Sequence, residues 1–292
     1  MNRMKLGVLA LALVFLAGPA VAQTYVLRGF NVDENAVLVF EQSADMTGGA
    51  VLVDMGAQQF AQEMDMANML KQRRSFGNWG DGLPGEITVE VLVNTQSQKV
   101  SMNGNVMADT TRADDLQGRT VTYTSQGDTS WVATMIAPED TTISVDDANP
   151  IDLIGRAYLA TPVSVGDSWE VDAANMVAMF GGPGSGADIE SATMTVTFDS
   201  VATYNGMEVA ALSYAMNAVG LMQPGQEGGP PAAMQMEMET TGTIYRTLDT
   251  LVDVYMDAEG AMNMGGQMEQ GGQSMTLSME IPLKLTRTVT FE

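Results

Sequence analysis

The sequence predicts an all-β protein with minor α content: one large antiparallel curved sheet, a half-barrel or a sandwich, carrying one or two covering helices. Three observations lead there. The closing stretch "MTLSMEIPLKLTRTVTF" places Met275, Leu277, Met279, Ile281, Leu283, Leu285, Val289 and Phe291 at odd positions, interrupted only by Arg287. Its even positions are polar apart from Pro282. Period two held this long describes a strand with one buried and one wet face. The same alternation recurs upstream between turn signals, and a 3.6-residue apolar period is rare, which fits antiparallel strands better than βαβ units.

Taken in order, residues 1–22 read as an export signal. Arg3 and Lys5 precede the apolar run Leu6–Ala17, Gly18-Pro19 break it, and Ala20-Val21-Ala22 supply small residues for cleavage after Ala22. The run is shorter than the roughly 20 residues a spanning helix needs. The expectation is an exported protein, periplasmic or extracellular, with no later transmembrane segment. The rest divides into an N-terminal β-rich half, 23–160, and a C-terminal β-rich half, 161–292.

In the N-terminal half, "TYVLRGF" and "AVLVFEQ" flank "NVDEN" and suggest a hairpin. Ala57–Arg74 is the best helix candidate, near 57–74, because Phe60, Met64, Ala67 and Leu70 share one helical side. Ile87, Val89, Val91 and Val93 alternate, "TQSQK" reads as a turn, and Val100 and Met102 continue. A short helix over 150–159 and a turn or two after Asp172 are further expectations.

In the C-terminal half, Ala192, Met194, Val196 and Phe198 alternate with polar residues, and Asn205-Gly206 is a strong hairpin signal. "LVDVYMDAEGAMNM" suggests a strand, a turn at Asp257–Gly260, and a second strand. The glycine-rich spans 181–187, 223–233 and 265–273 read as loops. Pro282 cannot donate to a ladder, so the last strand lies at an edge or bends there.

Several motifs resemble those of uncharacterised exported bacterial β-rich proteins of unknown function. These are the leader, the "YVLRGF" strand, the mid-chain "TPVSVGDSW" (a P-x-x-VGDSW motif) and "VDVYMDAEG". The resemblance covers mainly 155–292. It implies an exported β-rich scaffold and no site residue. Many such proteins look like lipoproteins; this chain lacks the cysteine that acylation requires.

Composition narrows the function. The chain has no cysteine, no histidine, 25 methionines and a net charge of −23. Without histidine or cysteine there is no Ser-His-Asp or Cys-His site and no histidine-bearing zinc site. No cofactor fingerprint occurs, and the acidic balance opposes nucleic acid and anionic surfaces. A carboxylate-only glycan hydrolase stays open, since it needs two carboxylates about 5–10 Å apart. Loop carboxylates at Asp81, Glu86, Asp146, Asp147 and Asp152 lack EF-hand spacing and read as turn formers.

The methionines remain. In "MQMEMETTGTIYRTL", Met234, Met236 and Met238 fall on one face of a strand, about 7 Å apart. Thioethers are soft ligands suited to Cu(I), which makes Met234, Met236, Met238, Met262 and Met264 metal candidates. "MDMANM" (Met64, Met66, Met69) and Met268 extend the set. Against that, Met194, Met275 and Met279 stand where neighbouring strands carry Val, Leu or Phe, so methionine also serves as an adaptable core residue. The favoured expectation is non-catalytic binding of an apolar small molecule or lipid, or of an envelope partner. The inner face would be lined by Met234, Met236, Met238, Met275 and Met279, and needs no cofactor.

Overall fold

The computed structural model describes residues 23–56, 59–80, 83–126, 131–136, 141–143, 157–173, 187–222, 234–270 and 273–292. The proposed leader, the glycine-rich spans 181–186 and 223–233, the turn after Asp172 and most of the 150–159 helix lie outside the described residues.

Long strands dominate. In chain order they are β1 (Thr24–Tyr25), β2 (Val37–Asp54), β3 (Gln59–Gly77), β4 (Glu86–Met102), β5 (Asn105–Ala113), β6 (Thr120–Ser125), β7 (Trp131–Ile136) and β8 (Thr141–Ile143). There follow β9 (Val163–Ser164), β10 (Ser168–Asp172), β11 (Ala187–Tyr204), β12 (Met207–Met222), β13 (Met234–Thr247), β14 (Asp253–Gln270) and β15 (Gln273–Phe291). Thirteen of them form one antiparallel sheet, not closed into a barrel, in the order β10-β11-β12-β13-β14-β15-β2-β3-β4-β6-β7-β8, with β5 also on β4. Each half of the chain is thus a meander of sequence neighbours, and the final strand β15 joins them by pairing with β2. Among the described residues no helix is long and apolar enough to cross a membrane.

The closing strand runs Gln273–Phe291 with Met275, Ile281, Leu283, Leu285 and Val289 buried, as the alternation predicts, while Phe291 at its end is 37% exposed. Its bend is also where expected. Pairing with β14 continues through Pro282, opposite Ala261, while the ladder to β2 breaks between Glu280 and Lys284. Across that gap β2 carries its own bulge, between Met46 and Gly49. Gly48 sits there at φ +78°, its amide donating to Asp65 Oδ1, while the Thr47 amide donates to Asp45 Oδ1. A proline without a donor and a glycine in the left-handed region thus bend two adjacent strands at one level.

Five local expectations are corrected. Ala57–Arg74 is no helix; Gln59–Gly77 is strand β3, paired on both sides with β2 and β4. Its even positions Met64, Met66, Leu70 and Phe76 pack against the core, so Met64 and Leu70 of the helical pattern satisfy period two as well, while Phe60 is 37% exposed. Ladders on both edges override a composition of good helix formers. "TQSQK" is not a turn: β4 continues to Met102 and reverses at Asn103-Gly104, both at positive φ. Asp257–Gly260 is not a turn either, because β14 runs through it and the reversal lies between β13 and β14, near Leu251 at φ +55°. Most of 265–273 is strand, with Gly265 opposite Ser278. The "TYVLRGF" segment makes no hairpin with β2; Tyr25 pairs with Val163 in a separate two-stranded sheet. The Asn31 amide instead donates to the Thr250 carbonyl, and that ties the segment to the β13–β14 turn.

The Asn205-Gly206 hairpin forms as expected, with Tyr204 opposite Met207. Trp131 and Trp169 are core anchors, and the Trp169 indole donates to the Ala157 carbonyl at 2.7 Å.

Candidate functional site

The methionine comb of β13 faces inward. Met234, Met236 and Met238 are 4%, 3% and 1% exposed, while Gln235, Glu237 and Glu239 between them are exposed. The row is one buried strand face and not a solvated tether. Met275 is also buried, and Met279 is half-buried against the same core.

Register spreads this face across the sheet. Met236 stands opposite Met264, which stands opposite Met279; Met238 stands opposite Met262, which stands opposite Ile281. Met194 is opposite Met216 on β11 and β12, and Met46 is opposite Met66 on β2 and β3. Directly opposed residues have Cβ atoms about 4.5–5.5 Å apart, closer than the 7 Å step along one strand. The structure therefore brings methionines together across strands more tightly than along "MQMEM". Met262, Met279, Met46, Met64 and Met66 are only partly buried and flank the fully buried set. Met69 stays outside, 56% exposed, and the Met268 side chain lies outside the described residues.

Composition grades along this face. Near the Asn205-Gly206 hairpin it is rigid and branched, with Phe198, Leu212 and Ile244 in register and Leu27 and Tyr158 packed on the same core. Toward the other end it is methionine. Unbranched thioethers repack at low cost, so the methionine end is the deformable one.

Thr240 lies in the row between Met238 and Gly242. It is buried, and its Oγ1 has no hydrogen-bond partner among the described residues. Gly242 is required by its neighbours. A Cβ there would collide with the Asp257 carbonyl on β14 and come 2.8 Å from the Tyr214 hydroxyl, which donates to that carbonyl at 2.9 Å. Burial, and then the Asp257 carboxylate, raise the Tyr214 phenol above its ordinary pKa. On β14, a Cβ at Gly260 would likewise collide with the Glu239 carbonyl. Two glycines on adjacent strands thus let β13 and β14 approach and coil, a recognised source of sheet curvature.

The rigid end holds a polar cluster that the sequence reading missed. Arg246 is 3% exposed; its Nη1 binds Asp253 Oδ1 at 2.7 Å, its Nε the Leu27 carbonyl at 2.6 Å and its Nη2 the Gly29 carbonyl at 2.7 Å. The Tyr158 hydroxyl donates to Asp253 Oδ1 at 2.8 Å, and the Arg246 guanidinium lies over the Tyr158 ring at 4.1 Å. Arg287 Nη2 reaches Asp253 Oδ2 only at 3.6 Å. The cluster pins two covering segments, near Leu27 and near Tyr158, against the sheet. Its signal was present in the sequence, since Arg246, Asp253 and Arg287 are the charged residues that break otherwise apolar runs.

No known protein family matches the chain, and no curated protein matches it. Solved structures give weak likenesses. The binding domain of botulinum neurotoxin DC in complex with rat synaptotagmin II is 8% identical, covers 86% of this chain and 78% of that one, and has a TM-score of 0.12. The botulinum neurotoxin serotype C1 binding domain is 10% identical over 86% and 79%, with a TM-score of 0.10. Scores this low carry no argument about fold or function.

Proposed function

We propose that the chain is an exported, non-catalytic binding protein whose methionine-rich inner face receives an apolar ligand, a lipid or similar small molecule, or the apolar surface of an envelope partner. One observation carries this reading: a contiguous inward methionine field spanning β11–β15 and β2–β3, fully buried at its centre and partly buried at its β2–β3 side. Such a surface is deformable and apolar, which suits ligands of varied shape. The test is native mass spectrometry of protein purified from its own host, with organic extraction of whatever is bound. Co-purifying apolar mass supports the reading; protein that is bare and takes up no acyl probe overturns it.

A second reading, Cu(I) binding, is favoured by the cross-strand trio Met236, Met264 and Met279, which offers three soft ligands in one row. The two readings separate cleanly. The triple change to leucine conserves volume and keeps the face apolar, so each substitution costs less than about 1.5 kcal/mol and ligand uptake persists. Cu(I) affinity, measured against a competing chelator, is lost only if the trio is a metal site.

The hydrolase expectation draws no support from the inner face. The single buried carboxylate among the described residues, Asp253, is committed to Arg246 and Tyr158.

A further inference from the structure

Among the 13 basic residues of an otherwise strongly acidic chain, Arg287 has an unusual position. It interrupts the apolar odd row of β15, standing between Leu285 and Val289 and opposite Met256 and Gln42. Its side chain is 20% exposed. Its Nε is buried and meets no acceptor among the described residues. The nearby carboxylate does not reach this nitrogen: Asp253 Oδ1 takes Arg246 at 2.7 Å and the Tyr158 hydroxyl at 2.8 Å, and Oδ2 faces the Arg287 Nη2 instead. Arg287 stands at 3.6 Å, beyond the usual hydrogen-bond length. One carboxylate therefore serves two guanidiniums, and the second keeps donor capacity.

A poorly neutralised cation on an apolar face is costly unless something anionic meets it. The surroundings reinforce the positive potential. Arg74 lies over the Phe40 ring at 4.0 Å, held by Gln72 Oε1. Burial, and then the Arg287 charge, lower its pKa to about 10.

An apolar track leads away from this cation. On the same side of β15, Leu285, Leu283 and Ile281, which are 5%, 6% and 2% exposed, and the half-buried Met279 follow Arg287 toward the methionine field, so an occupant of this row must displace the side chains now packed on it. At roughly 3.3 Å per residue the track is about 25 Å long. A single acyl chain covers half of a bilayer core of about 30 Å, so the track is long enough for one. Thr240 Oγ1, buried two strands away and also without a partner among the described residues, is a second polar point on this face.

We propose that the ligand is an amphiphile with a single anionic head, the head seated on Arg287 and the aliphatic chain lying along the β15 track into the methionines. This rests on the binding function proposed above and names its ligand class. The chain's acidic surface does not forbid it, because exposed charges are screened beyond about 8 Å at physiological salt while the buried guanidinium acts at contact.

The experiment compares palmitate, hexadecanol and monohexadecyl phosphate as probes, by displacement of a fluorescent acyl reporter at submicellar concentration. The wild type is expected to bind an anionic probe at least tenfold more tightly than the alcohol. Whichever anion binds more tightly tells a carboxylate source from a phosphate source. Arg287→Met should erase that preference, and Arg287→Lys should retain most of it. Equal binding of acids and alcohol by the wild type overturns this inference while the apolar reading stands; binding of none of the three overturns the apolar reading itself. Should Arg287→Met fail to fold, the wild-type comparison of acid and alcohol still decides.

Discussion

Asp253→Asn is expected to destabilise the protein by about 3–5 kcal/mol, read as the shift in a chemical denaturation midpoint. The reason is an imbalance of charge. Asp253 is the shared counter-ion of Arg246 at 2.7 Å and Arg287 at 3.6 Å, and it accepts from the Tyr158 hydroxyl. Removing one partner of a buried pair strands the other in low dielectric, and that costs more than the pair ever contributed. Domains are stable by only about 5–15 kcal/mol, so the loss is a large share of the total. The double variant Asp253→Leu with Arg246→Met is expected to recover part of it, because no charge is then stranded at position 246 and only Arg287, 20% exposed and paired at 3.6 Å, still lacks its carboxylate. Additive losses in the double variant would contradict this assignment.

Gly242→Ala is expected to cost at least as much as a typical overpacking change, about 1–3 kcal/mol, and Gly242→Val more. The obstacle is backbone: the Asp257 carbonyl belongs to the neighbouring strand and cannot rotate aside as a side chain can. Relief would require β13 and β14 to separate, releasing the Tyr214 hydrogen bond to that carbonyl. Gly265→Ala is the control. It lies on the same strand pair, its nearest would-be contact is the Leu277 carbonyl at 3.7 Å, and its expected effect is within about 0.5 kcal/mol. Equal effects at the two glycines would refute the close-approach argument.

The strand class and the inward direction of the methionines were legible because period-two alternation is a local property. Along most of β13 and β15 a residue's face follows from its parity, and burial agrees residue by residue for Met234, Met236 and Met238. Pro282 likewise announced its bend, because a missing donor needs no tertiary context. What failed was wherever one composition satisfies two geometries. Phe60, Met64 and Leu70 fit a helix as well as a strand, and only pairing with β2 and β4 decides. "DAEG" looks like a turn, yet Gly260 is there for the close approach of Glu239 on the next strand, a long-range contact. "TYVLRGF" looks like half of a hairpin because β2 is near in sequence, whereas its partners are Val163 and the Arg246 side chain. The Arg246–Asp253–Arg287 cluster was visible only as breaks in apolar runs, and its meaning depends on which breaks meet in space.

The central claim is that the methionine field is a receiving surface and not a sealed core. Methyl-selective NMR of protein labelled at the methionine methyl carbons, assigned by single Met→Leu variants, tests it most directly. On adding an acyl probe, the account predicts shifts concentrated at Met262, Met279, Met46, Met64 and Met66 and passing to Met236 and Met264. Unmoved signals at those seven, with changes confined to the exposed Met69 and Met107, would contradict it.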